Sequence, residues 1–178
     1  MTVQPHRKPN RLKGFDYSTP TAYFVTICTQ GRRCILSTIV GASIARPPTN
    51  TLTDVGKIVD AAIQAIPNHY PSVKVDKYVI MPNHLHMILH IYTAADGRAM
   101  LAPTNASESQ NPNAPPTNVS ISKIVQHLKG IITKQLDSSI WQKSFHDHVI
   151  RSERDYRMIW EYINSNPLNW TDDCFYQT

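Results

Sequence analysis

Val73-Lys74-Val75-Asp76-Lys77-Tyr78-Val79-Ile80-Met81-Pro82-Asn83-His84-Leu85-His86-Met87-Ile88-Leu89 holds two β-forming stretches separated by a Pro-Asn break. The first alternates at its start, and both are dense in the apolar residues that pack on a pleated surface. Pro82-Asn83 marks a turn, a bulge or an edge, so the segment predicts two antiparallel neighbouring strands. On the second strand His84 and His86 leave the same face, roughly 6–7 Å apart at their α-carbons. Leu85 points the opposite way. Two imidazoles so placed can converge on one divalent ion. The same spacing also suits a pair of surface histidines on an edge strand, and spacing alone does not choose between the two.

Outward from this segment the chain reads as alternating strands and one-sided helices. Ala22-Tyr23-Phe24-Val25-Thr26-Ile27-Cys28-Thr29 is the strongest strand, closed by Gln30-Gly31. Pro47-Pro48-Thr49-Asn50 is expected in a loop. After Thr53, a candidate N-cap, Val55, Ile58, Val59, Ala62, Ile63 and Ile66 recur at helical spacing until Pro67. A second helix starts near Ser120 or Ser122, with Ile121, Ile124, Val125, Leu128, Ile131 and Ile132 on one side. Ser144–Ile150 predicts a short strand, and Ser152 caps a last helix ending at about Ser165. Helices packed on an antiparallel sheet make this an α+β fold.

The 178 residues suit one domain with a core that needs no disulfides. The boundaries read as a basic arm over 1–20, a domain over 21–170 and a tail over 171–178. Within the domain, residues 94–118 are rich in Pro, Asn, Ser, Ala and Thr and form a low-complexity insertion expected to be flexible. Cys28, Cys34 and Cys174 show no CxxC spacing, which argues against a zinc ribbon or a disulfide framework. No apolar leader or run of about 20 apolar residues is present, so a soluble cytoplasmic protein without a membrane partner is expected. The net charge of +5 is unevenly spread. Arg7, Lys8, Arg11 and Lys13 precede the first acid, Arg32 and Arg33 follow the first strand, and Arg151 precedes the last helix, near Arg154 and Arg157. Such clusters fit a polyanion, although a solvated basic surface has the same composition.

In the last helix Tyr156, Ile159, Trp160 and Ile163 form the apolar stripe. Tyr162 lies about 110° from the centre of that stripe, at the border of the polar face. Asn166 is one turn further along on the same side. A border tyrosine is often a packing residue with a wet tip, and an asparagine before proline is often a cap. Taken with the histidine pair, the set has a chemistry of its own. A metal can polarise a phosphodiester, a tyrosine hydroxyl with a pKa near ~10 needs such help to attack it, and attack leaves a covalent phosphotyrosine. Asn166 could give the metal a neutral oxygen.

The chain resembles the HUH single-strand DNA transposases with one catalytic tyrosine, and among them the REP-associated tyrosine transposases. The likeness rests on Arg11-Leu12-Lys13-Gly14-Phe15-Asp16-Tyr17-Ser18 leading into the Ala22–Thr29 strand, on Val79–His86, on Trp141–Arg151, and on Glu161-Tyr162-Ile163-Asn164-Ser165-Asn166-Pro167 with Trp170. It implies a ferredoxin-like fold and Mg²⁺ or Mn²⁺ held by His84 and His86, with Asn166 at the third ligand's position. It places the nucleophile at Tyr162 and implies a 5′-phosphotyrosine and a free 3′-hydroxyl. The implied substrate is single-stranded DNA beside hairpins of palindromic repeats. From the charge clusters, Arg7, Lys8, Arg11, Lys13, Arg32, Arg33 and Arg151 are the expected DNA contacts, and a monomer or homodimer is expected. A binding module that keeps the fold without catalysis, and an RNA-processing or toxin-like nuclease, are the alternatives. His146 and His148 form a second H-x-H pair with Asp147 on the opposite face, for which a structural or DNA-contacting role is expected.

Overall fold

The computed structural model describes residues 14–41, 49–92 and 119–176. The arm residues Arg7, Lys8, Arg11 and Lys13 and the 94–118 insertion lie outside these. In chain order the elements are β1 (Ala22–Cys28), β2 (Ser37–Val40), β3 (Thr49–Leu52), α1 (Asp54–Gln64), α2 (Ile66–His69), β4 (Val73–Ile80) and β5 (His84–Ile91). These are followed by α3 (Ile121–Leu136), β6 (His146–Ile150) and α4 (Glu153–Ser165).

Four strands form the main sheet in the order β4-β5-β1-β6, with every neighbour antiparallel. α1 lies between β1 and β4 in the chain, and α3 between β5 and β6. With β4 and β5 joined by a tight turn, this is the β-α-β-β-α-β path of a ferredoxin-like fold. The 73–89 segment therefore does form two adjacent antiparallel strands, and β5 is interior, not an edge.

Alternation decides what each face of the sheet carries. Tyr23, Val25 and Ile27 of β1 and Leu85, Met87 and Leu89 of β5 pack with Val59 and Ile63 of α1 and with Ile124, Leu128 and Ile132 of α3. This is the main core. The other face holds a smaller cluster of Ala22, Ile88 and Ile150 under Ile163 of α4, with Tyr156, Ile159 and Trp160 packed around it. The stripe read from the sequence is thus the face that α4 turns inward. The predicted caps Thr53 and Ser152 are made, and Ser120 caps the second helix: the side chains of Thr53, Ser120 and Ser152 accept the backbone N–H of Gly56, Lys123 and Asp155.

One expectation is corrected. Thr49 and Asn50, placed in a loop, belong to β3, which pairs with β2 in a separate hairpin. Its strands are short and largely polar, so they carry little apolar periodicity. Tertiary hydrogen bonds anchor them, with Ser37 Oγ and Asn50 Nδ2 both donating to the Ile80 carbonyl (3.1 and 2.9 Å). The same region clamps the turn before His84. Leu36 N donates to Pro82 O and Thr29 N to Asn83 O, each at 2.9 Å.

Gly56 tests this packing. A Cβ there would overlap the Leu36 carbonyl oxygen, which already accepts from Thr53 N and Thr53 Oγ1 at 3.0 Å. Alanine favours a helix over glycine by about 1 kcal/mol, but here the clash dominates. Gly56→Ala should destabilise by about 1–3 kcal/mol net, read as a lower urea midpoint. Among the described residues, no helix is long and apolar enough to cross a membrane.

A buried histidine pair facing a helix-borne tyrosine

His84 and His86 are essentially inaccessible, at 0% and 1% exposure. The surface-histidine reading is therefore excluded. The clamped turn starts β5 at His84 and points both imidazoles to the face that α4 covers. Their Nε2 atoms lie 3.0 Å apart.

The outer ring nitrogens define what can occupy that gap. Asn83 Nδ2 donates to the Phe175 carbonyl at 2.7 Å, which leaves Asn83 Oδ1 facing His84 Nδ1 at 2.9 Å. An amide oxygen only accepts, so His84 Nδ1 carries the proton and Nε2 presents a lone pair. His86 Nδ1 lies 2.8 Å from Thr26 Oγ1, a hydroxyl able to donate or accept. The 3.0 Å contact is then closed by an Nε2–H on His86 or by a shared cation. In the cation form, His86 Nδ1–H donates to Thr26 and both Nε2 lone pairs face the ion. Neighbouring nitrogen ligands with bonds of about 2.1 Å sit about 3.0 Å apart around an octahedral ion, so the spacing fits.

A carboxylate completes the group. Ligand atoms of His84, His86 and Asp173 all lie within 4.8 Å of one another, and the Asp173 side chain is 1% exposed. Asn166 closes the helix as its C-cap, and its Nδ2 donates to Asp173 Oδ2 at 2.9 Å. Its Oδ1 is buried with no well-formed hydrogen bond among the described residues, near enough to His84 and Tyr162 to influence their protonation, and is an acceptor in want of a donor or a cation. Little in the sequence points to Asp173. It lies beyond Pro167 and outside any periodic element, and the acidic pair Asp172-Asp173 after Trp170 was the only signal. The segment carrying it folds onto the pair: the Phe175 ring is 4.5 Å from His84, and Arg32 Nη1 donates to the Cys174 carbonyl at 3.0 Å.

Tyr162 faces the pair from α4. It is 40% exposed, and its hydroxyl lies 3.2 Å from His86 Nε2 across 76 residues of chain. Tyr156 instead packs inward and donates its hydroxyl to Asp76 Oδ2 at 3.1 Å. The structure thus brings together Tyr162, His84, His86 and Asn166. Among the expected DNA contacts, Arg32 sits by the tail with its guanidinium 5.0 Å from the Phe175 ring centre, while Arg33 and Arg151 are exposed on the surface.

Burial sets the protonation of these groups. It pushes the His84 imidazole down to about 4, against partial compensation from the Asp173 carboxylate, and it holds His86 well below the usual histidine range. Both are then neutral at pH 7, the form that binds metal. The phenol of Tyr162 is raised to about 12 by burial first, then by the charge of Asp173. For stability the sign follows from His84 binding protons less readily folded than unfolded. Its contribution is present above about 6.5 and lost as pH falls toward about 4. Metal-free protein should show a thermal midpoint that drops across that window, with Thr26 and Asn83 left holding cations they were built to meet as neutral rings. A midpoint constant from pH 7 to 4 would contradict this.

The fold and site define a class: a ferredoxin-like α+β protein with the fold of a solved REP-associated tyrosine transposase and a buried His84/His86/Asp173 cluster that could hold a metal ion. The solved structure of a REP-associated tyrosine transposase bound to a REP hairpin aligns with a TM-score of 0.59 and 21% identity, over 94% of this chain and 74% of that one. That likeness bears on the fold. By sequence, the chain belongs to the family of an uncharacterised protein of Haemophilus influenzae, 34% identical over 176 residues, 96% of this chain and 93% of that protein. No family model matches the chain.

Proposed function

We propose that the protein is a metal-dependent, site-specific endonuclease and strand transferase for single-stranded DNA, acting beside hairpins through a 5′-phosphotyrosine. The observation that carries this reading is the Tyr162 hydroxyl 3.2 Å from the inner nitrogen of a buried histidine pair. A packing tyrosine has no need of that contact. The hairpin is the ligand of the structural relative, and the basic clusters of this chain suit the same polyanion.

The donor set fits a divalent ion on three counts: the paired Nε2 atoms, the buried carboxylate and the orphaned Asn166 oxygen. His84, His86 and Asp173 would hold it beside Asn166, and Mg²⁺ or Mn²⁺ bound there supplies Lewis-acid polarisation of a phosphate oxygen. Imidazole donors favour Mn²⁺ over Mg²⁺. The chain's own residues do the rest. Tyr162 Oη forms a bond to phosphorus as the P–O3′ bond breaks, and the phenol proton ends on the departing 3′-oxygen. In the return step a 3′-hydroxyl attacks the phosphotyrosine, the P–Oη bond breaks and the proton returns to the phenol. Thr26 and Asn83 keep the imidazoles oriented throughout.

A hairpin oligonucleotide with a labelled single-stranded flank tests the proposal. With Mn²⁺ the flank should be cut, one fragment ending in a 3′-hydroxyl and the other migrating with the protein on a denaturing gel. Tight binding without cutting in either Mn²⁺ or Mg²⁺ would leave a hairpin-binding module and overturn the nuclease reading. Preferential cutting of RNA would overturn the choice of substrate.

A further inference from the structure

The second histidine pair lies on the same sheet face as the first, and the strand register relates them. One cross-strand row runs Val79, His86, Thr26, His146 and the next runs Lys77, Ile88, Phe24, His148. α4 lies chiefly over β4 and β5. At the far end of β1–β6 from the Ala22–Ile150 cluster the face is open, with Phe24 half-buried and His146 and His148 exposed. Phe24 stacks on His86 with ring centres 5.1 Å apart and meets Tyr162 edge-on at 6.1 Å. His146 makes no hydrogen bond or ion pair among the described residues. It lies two strand spacings from His86, about 10 Å.

Charge completes the picture. His148 pairs with Asp155 at 2.8 Å, and the Arg151 backbone N–H also points to that carboxylate at 3.4 Å, so the acid nearest this face is already engaged. Arg151 and Arg154 are exposed at the same end of α4, where Glu153 pairs with Arg157. A half-buried aromatic ring that packs against the smaller cluster and adjoins the nucleophile, with an imidazole unengaged among the described residues and exposed guanidinium groups nearby, matches a base and its phosphate.

We propose that Phe24 and His146 form a nucleotide subsite beside the scissile phosphate, Phe24 stacking on one base of the single strand and His146 contacting a phosphate further along it. This rests on the nuclease reading above and assigns to positioning one member, His146, of the H-x-H pair that the metal site does not use. The strand then passes from Tyr162 over β1 toward β6. Phe24 and His146 are positioning residues, since neither exchanges bonds with the phosphate that reacts.

Anisotropy titrations on the full-length Tyr162→Phe protein, which binds without cutting, read the subsite directly. Phe24→Leu keeps apolar bulk against His86 and should weaken binding of a hairpin with a single-stranded flank about fivefold to a hundredfold, the range of base–aromatic stacking. The penalty should vanish when one particular nucleotide of the flank is made abasic, and Phe24→Tyr should restore affinity. His146→Ala should weaken binding several-fold and lose that effect when one particular phosphate is replaced by a neutral methylphosphonate. A loss that is equal for every abasic position would mean that Phe24 only supports His86, and the subsite would be wrong. Binding by the parent protein with no position-specific coupling overturns the subsite alone. No binding of any flanked hairpin by the parent protein overturns the subsite and the nuclease reading together.

Discussion

Tyr162→Phe should abolish the covalent protein–DNA adduct and lower the cutting rate by about 10⁴-fold or more, with hairpin affinity held within about twofold. The substitution removes one oxygen. The ring keeps its edge-on contact with Phe24 and its place 5.2 Å from the His86 ring, so the helix and the histidine pair keep their packing. The hydrogen bond between the hydroxyl and His86 is partly solvated and is worth about 1 kcal/mol at most. Tyr156→Phe is the matched control. It removes a phenol from the same helix, but that phenol donates to Asp76 and lies in the apolar stripe. It should cost some stability and leave the adduct intact. The raised pKa of Tyr162, about 12, holds the phenol further from phenolate than an ordinary tyrosine. Metal-free protein should consequently give no adduct even at pH 9. An undiminished adduct in Tyr162→Phe would remove the residue from the chemistry whatever its position.

Helix periodicity makes this contrast between two tyrosines legible in the sequence alone. Tyr156 falls inside the 156, 159, 160, 163 stripe and Tyr162 outside it, and a side chain excluded from the core stripe is free to face something else. The histidine pair is legible as sharing one strand face, because the period of two is strict. Whether that face is buried is not legible, since burial depends on the last helix and the segment carrying Phe175 folding over β5, and such packing is a long-range property. The β2–β3 hairpin escapes for a related reason. Its strands are held by side-chain hydrogen bonds to the end of β4, which leave no periodic trace. Asp173 escapes because it acts from an irregular segment beyond Pro167. Its place beside His84 depends on bonds from Asn83 to Phe175 O and from Arg32 to Cys174 O, which join residues far apart in the chain.

His86→Ala should lower Mn²⁺ affinity by about a hundredfold or more, since a direct ligand should cost at least what an orienting partner costs, typically 10–100-fold. Calorimetric titration measures this without reference to DNA. Thermal unfolding gives a second readout: an ion at a hundred times its dissociation constant adds about 2.7 kcal/mol to the wild-type fold, and His86→Ala should forfeit that increment at the same ion concentration. The graded variants carry the argument further. Thr26→Val preserves shape but removes the hydroxyl that orients His86 at 2.8 Å, and should cost about 10–100-fold. Asp173→Asn keeps the volume and deletes the charge, which separates the two candidate oxygen donors. If Asp173 binds the ion, affinity falls. If affinity is unchanged, the unpartnered Oδ1 of Asn166 is the oxygen ligand and Asp173 serves to orient it through the 2.9 Å bond to Nδ2. In either case protons compete with the ion for the same Nε2 lone pairs. Because burial holds His84 near 4 and His86 well below the usual histidine range, affinity should hold nearly constant from pH 7.5 to 6, where exposed histidines would already be losing their metal. Affinity that falls steeply across that range would mean that the imidazoles are not the buried, neutral donors their hydrogen bonds imply.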